Sequence, residues 1–469
     1  MRIRPGPWFF SAMLLSLASL GLSPLGAQGR DLPSVKIQDD SALRSAIAPL
    51  WFTAPPAQVL GYRPSVQTLP GGGRVQIRSE DGGSEFLVIL ARELTDPAGT
   101  RLYGIYPGWA QGSWALSRRK DTGEASRIRI FLRSDPNLYV QFRPLGNDRS
   151  QMDVVAYDAY LVNSLTIPVS MERLLTLPVE EALRLAGPGF PRRYFDPSLG
   201  SYGDSINFIS LVREGLRELE FIDDGAVDET GRYVYIETLE AQRGPGGLNC
   251  SGFAKWVVDG LLYPVTGSLL PIGPLKAPFG QRGSNFTNPW EELRDPFFGL
   301  DWTRNLAAQA NRVLRSPDFA RIEEFEVRFA PFSAVLQHDR SGVTTRAYPG
   351  FLLNAGFGVE GLRPLLYCLA VNEPGRIYLA SVNNEVYAPT TAENLRGLPH
   401  LRQYFHVAVL VPYFNEYGNF QIAVFESAAE TSFAAFEGRY PGHYVNLVRI
   451  PVDGIFSSPT GNQLLVSGN

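Results

Sequence analysis

Apolar and polar residues alternate along much of the N-terminal third of the chain. Between residues 72 and 160 this period-two pattern recurs in short runs separated by Asp-Gly, Pro-Gly, Asp-Pro and Gly-Asn turn signals. The runs are RVQIRS, EFLVILARE, RLYGIY, SRIRIFLRS, LYVQFRP and MDVVAYDAYLV. Because alternation places every second side chain on one buried face, the pattern predicts a small antiparallel β domain of about six strands.

Later segments have the apolar spacing of helices. It predicts helices over residues 171–185, over residues 204–219, and again from Cys250 onward. The first of these ends at Gly187, and two prolines follow within four residues. We therefore place a domain boundary there, between a β-rich N-terminal domain (residues 30–187) and a second domain (residues 188–469).

The second domain is predicted to contain a long insertion over about residues 264–349. This stretch is irregular, rich in Pro, Gly and aromatic residues, and has one predicted helix near residues 302–314. From Leu365 onward β character returns, and Cys368 lies in the apolar run LLYCLAV, which we interpret as a buried strand. The whole pattern predicts an α+β fold.

Composition and charge narrow the class of protein. The chain has 469 residues, of which 44% are hydrophobic and 19% charged, as expected for two or three globular domains. The formal net charge is −4 and no block of basic residues occurs, so we expect no nucleic-acid partner.

The first residues have the pattern of an export signal. Arg2 and Arg4 precede an apolar stretch over residues 8–22, and small residues offer cleavage after Ala27 or Gly29. We interpret residues 1–29 as a signal peptide, because the apolar span is short for the alternative of an N-terminal membrane anchor. The mature protein is then expected in the periplasm or secreted, with no later stretch long enough to span a bilayer.

Cys250 lies in the most informative segment, GGLNCSGFAKWVVDG (residues 246–260). A Gly-rich loop leads into the cysteine, and helically spaced apolar residues follow it. Free N–H groups and the helix dipole at a helix N-terminus favour the thiolate, which is the nucleophilic form. The alternative interpretation is a buried structural cysteine that begins an amphipathic helix, and a disulfide with Cys368 would also silence the thiol.

A cysteine nucleophile needs a base, and the chain has histidines at positions 338, 400, 406 and 443. His406 differs from the others because it opens a strand, HVAVLVPYF, which forms a predicted hairpin with FQIAVFES. If residues 414–418 form the loop, Tyr413 pairs with Asn419 and His406 lies opposite Glu426. A carboxylate there could orient the imidazole, although a cross-strand His–Glu contact is also common in ordinary sheets.

The order of these segments resembles the NlpC-type cysteine endopeptidases of bacterial cell walls, which have a papain-like fold. That family reads Asp-Cys-Ser-Gly at a helix start, then a strand after Pro-Gly, then a strand beginning with His, and then a polar orienting residue. The matching segments are residues 249–253 (NCSGF), 373–379 (EPGRIYL), 406–410 (HVAVL) and 425–427 (FES). The chain departs from the pattern at Asn249, Arg376 and Glu426.

The resemblance implies a papain-like domain and an exported thiol peptidase or amidase that acts on peptidoglycan peptides. Cys250, His406 and Glu426 would be catalytic, and Asn249, Ser251 and Tyr235 would support the site or its oxyanion. No metal or other cofactor is required. Two alternatives stay open: a non-catalytic envelope scaffold that keeps the fold, and the same triad acting on a lipid or small-molecule amide. The oligomeric state also stays open.

Overall fold

The structure of this protein is a computed structural model. The residues that it describes are 33–95, 101–103, 113–146, 148–280, 295–338, 344–347, 350–386 and 401–459. Pro33–Asn469 form one compact unit. The predicted signal peptide, residues 1–29, lies outside the described residues. Within them, no helix is long and apolar enough to cross a membrane.

An antiparallel sheet dominates the N-terminal part of the chain, as the alternating pattern predicts. In spatial order its strands are β1 (Ser65–Thr68), β2 (Arg74–Gly82), β3 (Glu85–Arg92), β6 (Trp114–Arg119), β7 (Ala125–Ile130), β8 (Leu138–Gly146), β9 (Arg149–Ala156), β10 (Ala159–Ile167), β13 (Val335–His338) and β14 (Thr344–Ala347). Two short strands form a separate pair, β4 (Leu94–Thr95) and β5 (Arg101–Tyr103). We call the ten-stranded sheet the large sheet.

The large sheet takes its last two strands from much later in the chain. The β13–β14 hairpin belongs to the predicted insertion, and Val335 pairs with Ala159 at the edge of β10. Strand pairing therefore crosses the predicted boundary at residue 187. The boundary itself stays a prediction.

A second antiparallel sheet carries the candidate site. In spatial order its strands are β15 (Phe357–Gly358), β20 (Tyr444–Pro451), β16 (Arg376–Val386), β17 (Leu401–Phe414), β18 (Phe420–Glu426) and β19 (Ala429–Thr431). We call it the site sheet. A small hairpin, β11 (Gly225–Val227) and β12 (Tyr233–Tyr235), stands apart from both sheets.

Helices connect and cover the sheets. They are α1 (Ser41–Ile47), α2 (Pro56–Leu60), α3 (Met171–Leu174), α4 (Val179–Leu185), α5 (Gly203–Gly215), α6 (Cys250–Thr266), α7 (Ile272–Leu275), α8 (Phe298–Leu314), α9 (Ile322–Phe325), α10 (Leu362–Asn372) and α11 (Phe433–Arg439). Single helical turns occur at Ala48–Phe52, Gly187–Gly189, Arg192–Tyr194, Leu199–Tyr202, Leu216–Glu218, Pro317–Ala320 and Val359–Gly361. The α+β class is confirmed.

Both faces of the site sheet are buried, and each packs on different helices. Val407, Val409 and Phe425 belong to a core shared with α6 and α8. Their neighbours Ala408 and Leu410 point the other way, into a core shared with α10 and with the large sheet. This alternation follows from the period of a strand, and it holds β17 rigidly between two cores.

Two predictions of secondary structure were wrong, one in the type of element and one in its continuity. Leu362–Asn372, which include Cys368, form α10 rather than a strand. A short, continuous apolar run fits a buried helix as well as a buried strand, so periodicity could not separate them. The helix predicted over residues 171–185 is interrupted, because Pro178 disfavours helical backbone at the residue before it and becomes the N-cap of α4.

The helix predicted near residues 302–314 begins earlier, at Phe298, and it is a core element. Trp302 on α8 is fully buried, and its indole N–H donates to the carbonyl of Ser251 at 2.9 Å. This part of the predicted insertion therefore packs on the helix that carries Cys250.

Candidate active site

Cys250 is the first residue of α6, where the sequence predicts a helix start. Asn249 is the N-cap: its backbone is extended, and its side-chain oxygen accepts the N–H of Gly252 at 2.8 Å. The N–H groups of the first turn have no acceptor within a helix. They give the Cys250 sulfur the electropositive surroundings that stabilise a thiolate.

The β11–β12 hairpin sets the position of this helix start. The N–H of Asn249 donates to the carbonyl of Gly225 at 3.0 Å. A Cβ added at Gly252 would lie only 1.9 Å from that same carbonyl oxygen. Glycine at position 252 therefore lets the hairpin backbone approach the first turn of α6 directly.

The Gly-rich loop before Cys250 is tied to the same hairpin through Gln242. The Gln242 side chain accepts the N–H of Gly247 at 2.8 Å and donates to the carbonyl of Val234 at 2.8 Å. Gly246 has a φ of +77°, and a Cβ there would overlap the ring of Tyr233. The glycines in this loop thus serve a turn and close packing that lead into the helix.

His406 reaches Cys250 from strand β17. The imidazole lies beside the Cys250 thiol, and its hydrogen bonding and charge act on the pKa of that thiol together with the backbone N–H of Val407. His406 lies opposite Val382 on β16, and a bulge at this point leaves Phe405 unpaired. Bulges turn side chains out of the regular alternation of a strand.

Glu426, the last residue of β18, holds the other side of the ring. Its Oε2 lies 2.6 Å from His406 Nε2, so Nδ1 is the ring nitrogen that stays available to the thiol. The predicted contact is present, but the predicted register is wrong. The observed loop is 415–419, so Tyr413 pairs with Gln421 rather than with Asn419.

The contact survives this error because the register is displaced by two residues, which keeps every side chain on its predicted face. Continuing the observed pairing by one step places Glu426 opposite Ala408, diagonal to His406. Long side chains can meet across such a diagonal. Ser427 and Ala428, both in the left-handed region, then turn the chain into β19.

Two residues of the site were missed by sequence reasoning, Arg439 and Tyr440. Arg439, the last residue of α11, donates from Nη2 to Oε1 of Glu426. The ring of Tyr440 lies against that of His406, with centroids 5.8 Å apart and planes at 31°. No motif marks either residue, because both come to the site through the packing of α11 on β18.

The charges in this cluster shift its pKa values in a consistent way. Burial acts to raise the pKa of the Cys250 thiol, but hydrogen bonds from His406, Val407 and Ser251 and the charge of the imidazolium outweigh it, so that this pKa is lowered. Burial acts to lower the pKa of His406, but its bonds to Cys250 and Glu426 raise it to about 9. The arrangement therefore favours a thiolate–imidazolium pair.

Burial and neighbouring charges also act in opposite directions on Glu426, and the charges keep its carboxyl ionised. Burial acts to raise the pKa of its carboxyl, and the hydrogen bonds and charges of His406 and Arg439 lower it below the ordinary value. A charged acceptor stabilises the imidazolium and fixes the ring orientation. Tyr440, buried beside Glu426, has its pKa raised to about 12 and stays a neutral phenol.

The predicted support residues have different positions. Ser251 is buried, and hydrogen bonding by its hydroxyl helps to lower the pKa of Cys250, while Asn249 caps the helix. Tyr235 lies on β12 opposite Gly225, and within the described part of the chain no contact joins it to Cys250 or His406. The catalytic and supporting roles of these residues stay predictions.

The remaining histidines and cysteine lie elsewhere. His400 is outside the described residues, as is the side chain of His338. His443 contacts the ring of Tyr440 and bonds to the carbonyl of Pro441. Cys250 and Cys368 are both free, so the disulfide considered from the sequence is not formed. No cluster of acidic, His and Cys side chains suited to a metal ion occurs among the residues described.

Comparison with known proteins identifies part of the chain only. Residues 33–194 match a family described as domain of unknown function (DUF8515). This range contains β1–β10 and ends before every candidate site residue. No curated protein and no solved structure shows significant similarity to the chain.

Proposed function

We propose that this protein is a cysteine hydrolase of papain-like architecture that cleaves an amide bond. The observation that carries the proposal is the meeting of three side chains: His406 Nε2 lies 2.6 Å from Glu426 Oε2, and the same imidazole acts on the Cys250 thiol and lowers its pKa. Cys250 lies at a helix N-terminus and the residue is only partly buried, so we expect a substrate to reach its thiol. A lowered thiol pKa beside an oriented imidazole meets the chemical requirements of an activated nucleophile.

The reaction follows from these groups. The Cys250 thiolate attacks the carbonyl carbon, and the oxyanion is held by N–H groups of the first turn of α6. The intermediate collapses to a thioester when protonated His406 gives its proton to the leaving amine. His406 then takes a proton from water, the hydroxide attacks the thioester, and the acid and the free thiol are released.

The substrate class and location come from the resemblance to NlpC-type endopeptidases. We propose an exported enzyme, periplasmic or secreted, that hydrolyses peptide bonds of peptidoglycan. The observed features in support are the Asn-Cys-Ser-Gly helix start, the strand β16 after Pro374-Gly375, and the strand that carries His406.

A matched pair of cysteine variants tests the proposal. Turnover of muropeptides and of simple peptide amides is measured for the unmodified chain, Cys250→Ala and Cys368→Ala. We expect Cys250→Ala to lose at least about 1,000-fold in kcat/KM and Cys368→Ala to keep its activity while both stay folded. Full activity in Cys250→Ala contradicts the proposal.

The pH profile adds a second criterion. Turnover should rise as the Cys250 thiol ionises, below the ordinary pKa of a cysteine, and should fall around pH 9 as His406 loses the proton that the leaving amine needs. Absence of turnover together with an ordinary, slowly reacting Cys250 would support the scaffold alternative instead.

A further inference from the structure

Glu426 makes two charge-assisted hydrogen bonds, one with each carboxylate oxygen. Oε2 bonds to His406, and Oε1 accepts from the Arg439 guanidinium. The Glu426 side chain is 6% exposed, whereas that of Arg439 is 47% exposed at the C-terminal end of α11. The C-terminus of a helix favours a cation, so Arg439 is well placed to supply positive charge to a carboxylate that cannot reach bulk water.

We propose that Arg439 is a positioning residue of this site, and that it acts on His406 through Glu426. The inference depends on the proposed function and deepens it. Bound to Oε1, Arg439 fixes the rotation of the carboxylate so that Oε2 meets the ring. It also offsets the negative charge, so that the imidazole is oriented by a nearly neutral ion pair rather than by a bare buried carboxylate.

The physical reason for this role of Arg439 is the effect of the Glu426 charge on the proton affinity of the His406 imidazole. A buried carboxylate stabilises the imidazolium, and without a counter-charge it would make the ring still slower to give up its proton. A general acid and base works best when its pKa lies near the working pH. Arg439 limits the effect of Glu426 while it keeps the orienting bond.

Few other charged groups face the His406 ring in the described structure. Cys250 approaches from α6, Glu426 from β18 and the neutral phenol of Tyr440 from the end of α11. On β16 the residue opposite is the apolar Val382. Replacing Cys250 therefore leaves Glu426 and Arg439 as the charges that set the ring's proton affinity.

The proposal predicts that the pKa of His406 shifts in opposite directions when Arg439 or Glu426 is replaced. Removing the positive charge in Arg439→Gln should raise the pKa of His406 by up to about one unit, because the carboxylate is no longer offset. Removing the negative charge in Glu426→Gln should lower it, because the imidazolium then faces an unpaired guanidinium. The double variant should give a value between the two.

The experiment follows the histidine ring directly and needs no turnover. The full chain, labelled with ¹³C-histidine and carrying Cys250→Ala, is titrated by NMR. The His406 signal is assigned among the four histidines by its loss in His406→Asn. Arg439→Lys keeps the positive charge but lacks the planar guanidinium. Most of the change in the His406 pKa that Arg439→Gln causes should therefore be absent in Arg439→Lys.

A matched control is available on the same side of the molecule. Arg213 pairs with Glu430 of β19 at 2.7 Å, and its side chain is 49% exposed, close to that of Arg439. Arg213→Gln removes an ion pair of similar arginine exposure whose carboxylate, that of Glu430, does not bond to His406, and it should leave the His406 titration unchanged.

The outcomes separate this inference from the proposed function. An unchanged or lowered His406 pKa in Arg439→Gln overturns the role of Arg439, whatever the activity of the protein. A raised pKa supports it, and the alkaline limb of turnover should then move in the same direction. An inactive, unreactive Cys250 in the unmodified chain would overturn the hydrolase proposal instead, and the positioning role with it.

Discussion

Cys250 and Cys368 are both free thiols on helices, but their surroundings differ. Cys250 begins α6, is partly exposed, and bonds to the imidazole of His406. Cys368 lies within α10 and is fully buried, and the groups that favour its thiolate are the Tyr194 hydroxyl and the charge of Arg193. The first position lowers the thiol pKa, and burial at the second raises it to about 12.

The difference shows what turns a cysteine into a nucleophile candidate. Folding buries Cys368 completely and Cys250 in part, and burial alone disfavours a thiolate at either position. At Cys250 the imidazolium, the Val407 N–H and the Ser251 hydroxyl outweigh this cost, whereas at Cys368 the Tyr194 hydroxyl and the Arg193 charge do not. Reactivity therefore depends on oriented donors rather than on the residue type or on its place in a helix.

A large effect on the rate of alkylation should distinguish the two thiols directly. At about pH 6, iodoacetamide should modify Cys250 at least about 100-fold faster than Cys368, because only the Cys250 thiolate is populated there. The single-cysteine variants Cys368→Ala and Cys250→Ala, followed by intact mass, give the two rates separately. Equal rates in the folded variants would remove the contrast between the two thiols.

Replacing His406 should bring Cys250 closer to Cys368 in behaviour. In His406→Asn the imidazolium is lost, so the Cys250 pKa should rise and turnover should fall by about 100- to 10,000-fold. A thiolate absorbance titration and kcat/KM measure the two effects. His443→Asn is the control, since that ring bonds within its own loop, and a similar loss there would argue against a specific role for His406.

The close contact between Gly252 in the first turn of α6 and the Gly225 carbonyl should make the stability of the protein sensitive to one added methyl group. Gly252→Ala places a Cβ against the Gly225 carbonyl and should cost about 1–3 kcal/mol in the free energy of unfolding. Chemical denaturation measures this cost. Gly203→Ala, at the open start of α5, meets nothing within 4 Å and should be neutral or stabilising.

The smallest effect concerns the helix cap. Asn249→Ala should lose about 1 kcal/mol of stability, because the Gly252 N–H loses its acceptor. Asn249→Asp should keep the cap but add a negative charge beside the sulfur, which raises the Cys250 pKa. Thermal unfolding and the thiolate titration measure the two changes, and a lower thiol pKa in Asn249→Asp would contradict this account of the charges.

Local patterns identified Cys250, His406 and Glu426 but did not identify Arg439 and Tyr440, which contact them. The N-cap, Cys250 and the amphipathic repeat lie within one helix start, so the chain's own periodicity located them. His406 and Glu426 were paired by strand alternation even though the loop was placed one residue too early. In the structure Asn415 accepts the N–H groups of Tyr417 and Asn419, and this closes the loop that sets the register.

The sequence by itself determined the α+β class, the start of α6 and the faces on which His406 and Glu426 lie, because helix caps and strand alternation depend on neighbouring residues. Only the tertiary structure decided the register of the hairpin, the helical state of Cys368, and the arrival of Arg439 at Glu426. These three features depend on contacts between segments that are distant in sequence. The energies of such contacts cannot be predicted from the residues of a single segment.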